Sequence, residues 1–460
     1  MQSCTKMKRV QSPQWTRRQM LQSVTAGMAA SMVGQPFVEH LLGETLPAKR
    51  SKPKVAAIIS SFHYLSHAYH ILLPFQVPYL FNGKIHQPQC EIVSVYVDQF
   101  SGNDISRDVC KKYNIPIYDT IAGAVRNGGT ELAVDAVLSI GEHGDYPEND
   151  RHQTMYPRKR FFDAIVKVMQ QSQRYVPIFN DKHLSYRWDW AKEMYDTSRE
   201  HHFPLMAGSS VPLAQRIPDL EIQSGTEIDA AIAIHGGPVE KFDIHGLEVL
   251  QSLVELRKGG ETGIAAIQLL KGDELLRAGK AGRWSIPLAE AAMQAELGKQ
   301  KRGLFDNIGN EEQVEPHGIL IEYRDGFRAT VLRVGKSGVR WNFAYQQHGN
   351  PQLQATRFYA GPWGNRNLFR AFSHAIQSFF LSRNEPYACE RTLLTTGALD
   401  AAMSSLVAQG KQIKTPQLNI SYKPNDMQAF REMGDSWKIL SKYKPPTTFS
   451  HPEADDLKNK

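Results

Sequence analysis

Residues 176–208 constrain the fold more than any other part of the chain. Val176-Pro177-Ile178-Phe179 is a short apolar strand that ends abruptly in Asn180-Asp181-Lys182-His183. A helix-compatible run follows over 188–202, and a second apolar strand, Pro204-Leu205-Met206-Ala207, closes on Gly208. Strand, helix, strand in this order is a right-handed parallel crossover, because only that hand packs the helix back onto a twisted sheet. Parallel sheets bind ligands at the carboxyl ends of their strands. The pattern therefore sends Lys182 into the crevice where an α/β enzyme works. A lysine there clamps an anionic or carbonyl oxygen, or serves as an acid. An arbitrary lysine at a loop start is a solvated surface charge, and the end of a buried strand is what sets this one apart.

The alternation extends back towards the start of the chain. Apolar strands at 54–60, 91–98 and 134–140, with a shorter one at 115–118, are separated by helical segments over 67–81, 106–113 and 161–173. Alternating elements of these lengths predict an α/β domain over 51–211, a Rossmann-like doubly wound parallel sheet. Beyond 212 the style changes. Strands at 228–234 and 264–269 are set off by Gly236-Gly237 and Gly259-Gly260, with a helix over 247–257 between them. Three more, at 318–323, 328–334 and 340–346, read as a meander turning at Asp325-Gly326 and Ser337-Gly338. With helices over 367–381 and 391–407, residues 212–445 form an α+β domain on an open, mostly antiparallel mixed sheet. The stretch 446–460 reads as a loose tail.

Composition narrows the partners. The chain has 460 residues, 41% hydrophobic and 22% charged, which is globular rather than disordered. Residues 1–50 hold seven Lys and Arg against two acids, a net +5 of the chain's +7, which leaves +2 for everything after them. A body so near neutral has no electrostatic footprint for nucleic acid. Within the leader, Arg17-Arg18 is a twin-arginine pattern followed by a soft apolar run over 24–33, too short to anchor in a bilayer. The expectation is export of a folded protein to the periplasm or another extracytoplasmic compartment, with cleavage near Ala48 or Ala30 and no integral membrane segment. Cys90, Cys110 and Cys389 fit no metal spacing and, being odd in number, no disulfide framework. His63, His67 and His70 have helical spacing but no carboxylate or fixed third ligand nearby in sequence, so no metal is expected there.

Three motifs carry a resemblance to a known family. They are the strand at 134–140 with Gly141-Glu142-His143-Gly144-Asp145, the segment Pro177 to His183 around Lys182, and Asp243-Ile244-His245 with Glu248. In their order these resemble the Gfo/Idh/MocA family of sugar and cyclitol oxidoreductases, over most of residues 52–425, with the Asp243 to His245 spacing one residue shorter than the family's D-x-x-H. The resemblance implies a catalytic or substrate-binding Lys182, an acid/base role for His245 supported by Asp243, and a nicotinamide cofactor, NAD or NADP. It implies that the cofactor lies near Ser60, Ser61, Asp98, His143 and Asp181, that the substrate is a carbohydrate or cyclitol, and that the protein is a homo-oligomer. His67 matches a histidine common in the family one turn into the first helix. One departure is specific. The family's G-x-G-x-x-G turn falls on Ile59, Ser61 and Tyr64, and each glycine there has a job: a tight turn, close approach to pyrophosphate, close helix packing.

Three functions are compatible with these residues. One is an exported NAD(P)-linked oxidoreductase of a sugar or cyclitol hydroxyl. Another is a non-redox sugar lyase or hydrolase on the same scaffold. The third is a carbohydrate-binding protein that has lost the chemistry. Loss of the glycines counts against the first, and retention of Lys182, Asp243 and His245 against the third.

Overall fold

The computed structural model describes residues 51–299, 314–453 and 456, so the twin-arginine leader lies outside the described residues. Residues 52–460 form one compact unit built on two sheets. The first has six parallel strands in the spatial order Ile117–Tyr118, Glu91–Gln99, Lys54–Ser61, Ala136–Ile140, Ile178–Asp181, Leu205–Gly208. Numbered along the chain this is 3-2-1-4-5-6, the doubly wound Rossmann order. Every residue of Lys54–Ser61 after the first is buried. A continuous apolar run of this kind suits a strand covered by helices on both faces.

The second sheet has eight strands, in the order Ile413–Lys414, Ile264–Lys271, His317–Tyr323, Arg328–Arg333, Ile228–His235, Trp341–Gln347, Gln354–Tyr359, Gln215–Ile217. Its neighbours are antiparallel except Ile228–His235 against Arg328–Arg333, which makes it the mixed sheet expected. Side chains alternate between two cores. Ala231 and Ala233 belong with Ile244 and Leu247 of the helix Asp243–Val254, while Ile232 and Ile234 belong with Leu288 and Ala292 of the helix Ile286–Leu297.

Several local expectations need correcting. The helix read over 67–81 stops at Gln76. Pro78 disfavours a helical Val77, which is extended at φ −130° and ψ 154°. A hairpin follows, Tyr79–Phe81 with Lys84–His86, turning through Asn82 and Gly83, both at positive φ. The meander is interrupted, because Ile228–His235 inserts between Arg328–Arg333 and Trp341–Gln347. The helix read over 247–257 begins earlier, at Asp243. The end of the chain is tied down over 446–453. Phe449 packs on Phe62 and Tyr69, the Tyr64 and Tyr69 hydroxyls donate to the carbonyls of Pro446 and Thr448, and Glu453 is ion-paired with Arg370. Cys90, Cys110 and Cys389 are buried free thiols, the first two pushed up to about 12 by burial. No described helix is long and apolar enough to cross a membrane.

Candidate functional site

Lys182 lies at the carboxyl edge of the parallel sheet. Its backbone is left-handed (φ +62°), and its N–H and C=O bond reciprocally with Gly208 at 3.1 and 2.9 Å. The side chain is 5% exposed, and Nζ donates to Glu142 Oε1 at 2.6 Å. The other oxygen of Glu142 accepts from Arg158. Arg158 also donates to the carbonyl of Asp181 at 3.2 Å, so one guanidinium ties together the ends of two strands. Local sequence explains how this fits. A side chain on Gly141 would meet Arg158 Cγ at 2.9 Å, and one on Gly208 would meet Thr392 and Tyr387. Arg158 is the first residue of the helix Arg158–Gln171, where a cation opposes the macrodipole. A buried arginine in the wrong place for helix stability is held there for another reason.

Polar groups surround this charged centre. His67 Nδ1 donates to Asp181 Oδ2 at 2.6 Å. His143, at φ +68°, presents its ring edge-on to His63 and His67. Burial, then the charge of His67, pushes His143 down to about 3. Burial and the neighbouring Arg158 hold His183 well below the usual imidazole range. Two carboxyls face opposite fates. Burial alone would raise Glu142, but Lys182 and Arg158 outweigh it and hold it well below the usual range. Glu240 reaches the cluster from the second sheet's side, with Oε1 3.7 Å from His183 Nε2. Burial, then the charge of Glu142, pushes Glu240 up to about 7. Four buried polar atoms here have no hydrogen-bond partner among the described residues: His143 Nε2, Asn180 Oδ1, His183 Nδ1 and Glu240 Oε1. Buried polar atoms are nearly always paired with protein or water, so these four are open to a further polar partner.

Asp243 and His245 do not form the expected pair. The segment is helical, and residues two apart on a helix lie on opposite sides, not the same side as in a strand. Asp243 turns away from Lys182 and accepts from His235 and His317 at 2.9 and 2.8 Å, with Glu240 N–H on its other oxygen. Burial opposes ionisation of Asp243, but the two imidazoles hold it far below its usual range. His235, Asp243 and His317 are the described trio able to hold a metal, their ligand atoms lying within 4.8 Å of one another. Hydrogen bonds from both imidazoles to Asp243 already hold the trio together as a brace. His245 shares a 2.6 Å hydrogen bond with Ser209 and feels the charges of Lys182 and His67. Burial first, and those charges next, keep it neutral.

Of the residues assigned to a cofactor, Ser60, Ser61 and Asp98 are engaged by the chain's own groups. Ser60 turns inward and donates to the carbonyl of Glu142 at 2.6 Å. Ser61 is buried and pairs with Gln99 across the sheet. The helix that should offer free N–H groups to a pyrophosphate begins only at His67 and is capped by Ser66, whose hydroxyl accepts from Tyr69 N–H. The intervening loop is knitted shut, since Ile105 N–H donates to the carbonyl of Phe62, a fully buried ring. Asp98 is already engaged where a ribose would lie: Tyr96 donates to Oδ1, and Tyr146 and Arg160 to Oδ2, at 2.5, 2.6 and 2.6 Å. Gln99 and Asp145 clamp the loop after Ala136–Ile140 over the same edge.

Glu142, Arg158, His183 and Glu240 were not among the site residues read from sequence. Glu142 sat beside His143 in a quoted motif, and Arg158 could have been flagged as a cation at a helix start. Glu240 comes from a loop of the other sheet, and nothing local marks it.

No family model matches the chain, and no curated protein matches it. Among solved structures, a "probable dehydrogenase" from Thermotoga maritima is similar at 10% identity and a TM-score of 0.49, covering 79% of this chain and 99% of its own. A myo-inositol dehydrogenase from Lactobacillus casei, in complex with NAD(H) and myo-inositol, gives 14% and 0.49, covering 82% and 100%. A myo-inositol 2-dehydrogenase from Lactobacillus plantarum gives 11% and 0.47, covering 79% and 99%. These neighbours are cyclitol and related dehydrogenases. The fold here, a 3-2-1-4-5-6 parallel sheet followed by a mixed sheet, is the two-domain architecture implied by the Gfo/Idh/MocA resemblance.

Proposed function

We propose that this chain is an acid–base enzyme acting on a neutral polyhydroxylated substrate, a sugar or cyclitol, at the Lys182 end of the parallel sheet and without a dinucleotide. One observation carries this reading: the buried Lys182–Glu142–Arg158 centre is rimmed by four buried polar atoms without a hydrogen-bond partner among the described residues. Two cations share one carboxylate, which leaves a net positive charge where a substrate oxygen would develop negative charge, and preorganised positive charge is the largest single aid to such a step. Glu240 carries the proton. A locked anion and a proton-holding carboxyl in one site are the division of labour that acid–base enzymes use. His67, fixed by Asp181, and neutral His245 orient hydroxyl groups. The reaction class is elimination or hydrolysis at a carbon–oxygen bond.

The nicotinamide-linked oxidation implied by the resemblance is the second reading, favoured by the Rossmann strand order. It requires a ribose to share Asp98 with Tyr96, Tyr146 and Arg160. The two readings separate in one experiment: denature the purified mature protein, look for released nucleotide by absorbance and mass, and measure thermal shifts with NAD, NADP, glucose and myo-inositol. No nucleotide and a sugar-dependent shift that disappears in Lys182→Ala are expected; a stoichiometric dinucleotide would overturn the proposal. The twin-arginine pattern supports export. Replacing Arg17 and Arg18 by lysine should remove the protein from the periplasmic fraction, and unchanged fractionation would end that part of the reading.

A further inference from the structure

We propose that the cavity lined by Tyr146, Tyr156, Tyr186 and Trp190 is a subsite for a second sugar ring, so that the substrate is a glycoside larger than one monosaccharide or cyclitol. This rests on the acid–base reading above and extends it. The cavity, about 470 Å³, is of the size that ligand sites occupy and lies between the starts of the helices Arg158–Gln171 and Trp188–Glu200. Its aromatic residues make a built surface: Tyr146 and Tyr156 meet edge-on at 5.7 Å, and Tyr186 and Trp190 at 5.3 Å. Aromatic rings offer an apolar face to the C–H face of a sugar and a polar tip to its hydroxyls.

Charge decides between a neutral ligand and a phosphorylated one. Both cations lining the cavity are already paired, Lys159 with Asp163 and Glu193, and Arg160 with Asp98. Arg187, stacked on Trp190 at 4.6 Å, is paired with Asp189. Each lining cation already faces a carboxylate, which favours a neutral ring over a phosphate. Tyr156 joins cavity and centre. Its ring lies 5.0 Å from the Arg158 guanidinium, and after burial the charge of Glu142 is the next influence raising its phenol, with Glu240 also contributing. Through Tyr156 the cavity thus borders the Arg158 side of the centre.

The test titrates the full-length protein with glucose and myo-inositol, with maltose, cellobiose and lactose, and with AMP, by calorimetry and intrinsic fluorescence, in the parent and in Trp190→Ala, Trp190→Phe and Lys182→Ala. At least one disaccharide should bind on the order of tenfold more tightly than the single rings. That ratio should fall towards one in Trp190→Ala and partly recover in Trp190→Phe. Single-ring binding that depends on Lys182, with no disaccharide advantage or none that Trp190 controls, overturns the subsite and leaves the acid–base reading standing. No saccharide binding at all overturns both. AMP binding more tightly than every saccharide also overturns the subsite.

Discussion

The two halves of one sheet edge have been treated oppositely. On the side of Lys54–Ser61 and Glu91–Gln99, where a dinucleotide would lie, the chain's own groups engage most of the polar side chains. Asp98 holds three donors, Ser66 caps its own helix, and Gln99 staples a loop. On the side of Ala136–Ile140 and Ile178–Asp181, charge is concentrated and polar atoms are left without partners among the described residues. Saturated groups stabilise, whereas unsatisfied ones are retained where something binds. The proposed function puts the substrate at the second half and leaves the first to stability.

The strongest way to break this contrast is at Glu142. Glu142→Gln leaves Lys182 and Arg158 buried against a neutral amide, and breaking a buried pair costs about 3–5 kcal/mol. Thermal denaturation should show a large fall in Tm, and an unchanged Tm would mean that the centre is open to water. The sign in pH follows from its lowered carboxyl. The stabilisation is full above about pH 4.5 and is lost as pH falls below it, so the parent's advantage over the variant should shrink in acid.

Glu240→Gln comes next. Glu240 is pushed up to about 7, so the parent's turnover should fall as pH rises through about 7. The variant should lose that limb and about 10²–10⁴-fold in rate. The raised carboxyl also stabilises the fold most below about pH 4.5, where folded and unfolded states are both protonated, and that contribution fades between 4.5 and 7. A variant that keeps the limb would move the proton to another group.

A smaller effect is expected at Asp98, on the closed side. Asp98→Asn weakens three charge-assisted hydrogen bonds of a half-buried group, costing about 1–3 kcal/mol, without altering turnover. Loss of an NAD-dependent thermal shift in this variant would place a ribose there and erase the contrast. Smallest is Asp189→Ala, which frees exposed Arg187 at about 0–1 kcal/mol. Stability should barely move, and a steady-state assay should show no change in the pH limb assigned to Glu240.

The strands were legible because burial on both faces writes continuous apolar runs into the sequence, as at 54–61 and 136–140. Lys182 was legible because position at a strand end is local information. Insertion of Ile228–His235 into the apparent meander was not, since pairing between distant segments leaves no local periodicity. The Asp243–His245 pair failed on a single question, whether the segment was strand or helix, which alone decides whether neighbours two apart share a side. Asp98 was read correctly as a strand-end acid. That Tyr146 and Arg160 would occupy it depended on a loop and a helix about 50 residues further on.

The anchored segment 446–453 has a practical consequence. Tyr64 and Pro446 stand 382 positions apart in sequence yet share a hydrogen bond, so the first strand–helix turn is completed by the far end of the described chain. A protease cut or a bulky fusion near 445 would loosen the opposite end of the molecule, and a purification handle attached there risks reporting on an altered crevice.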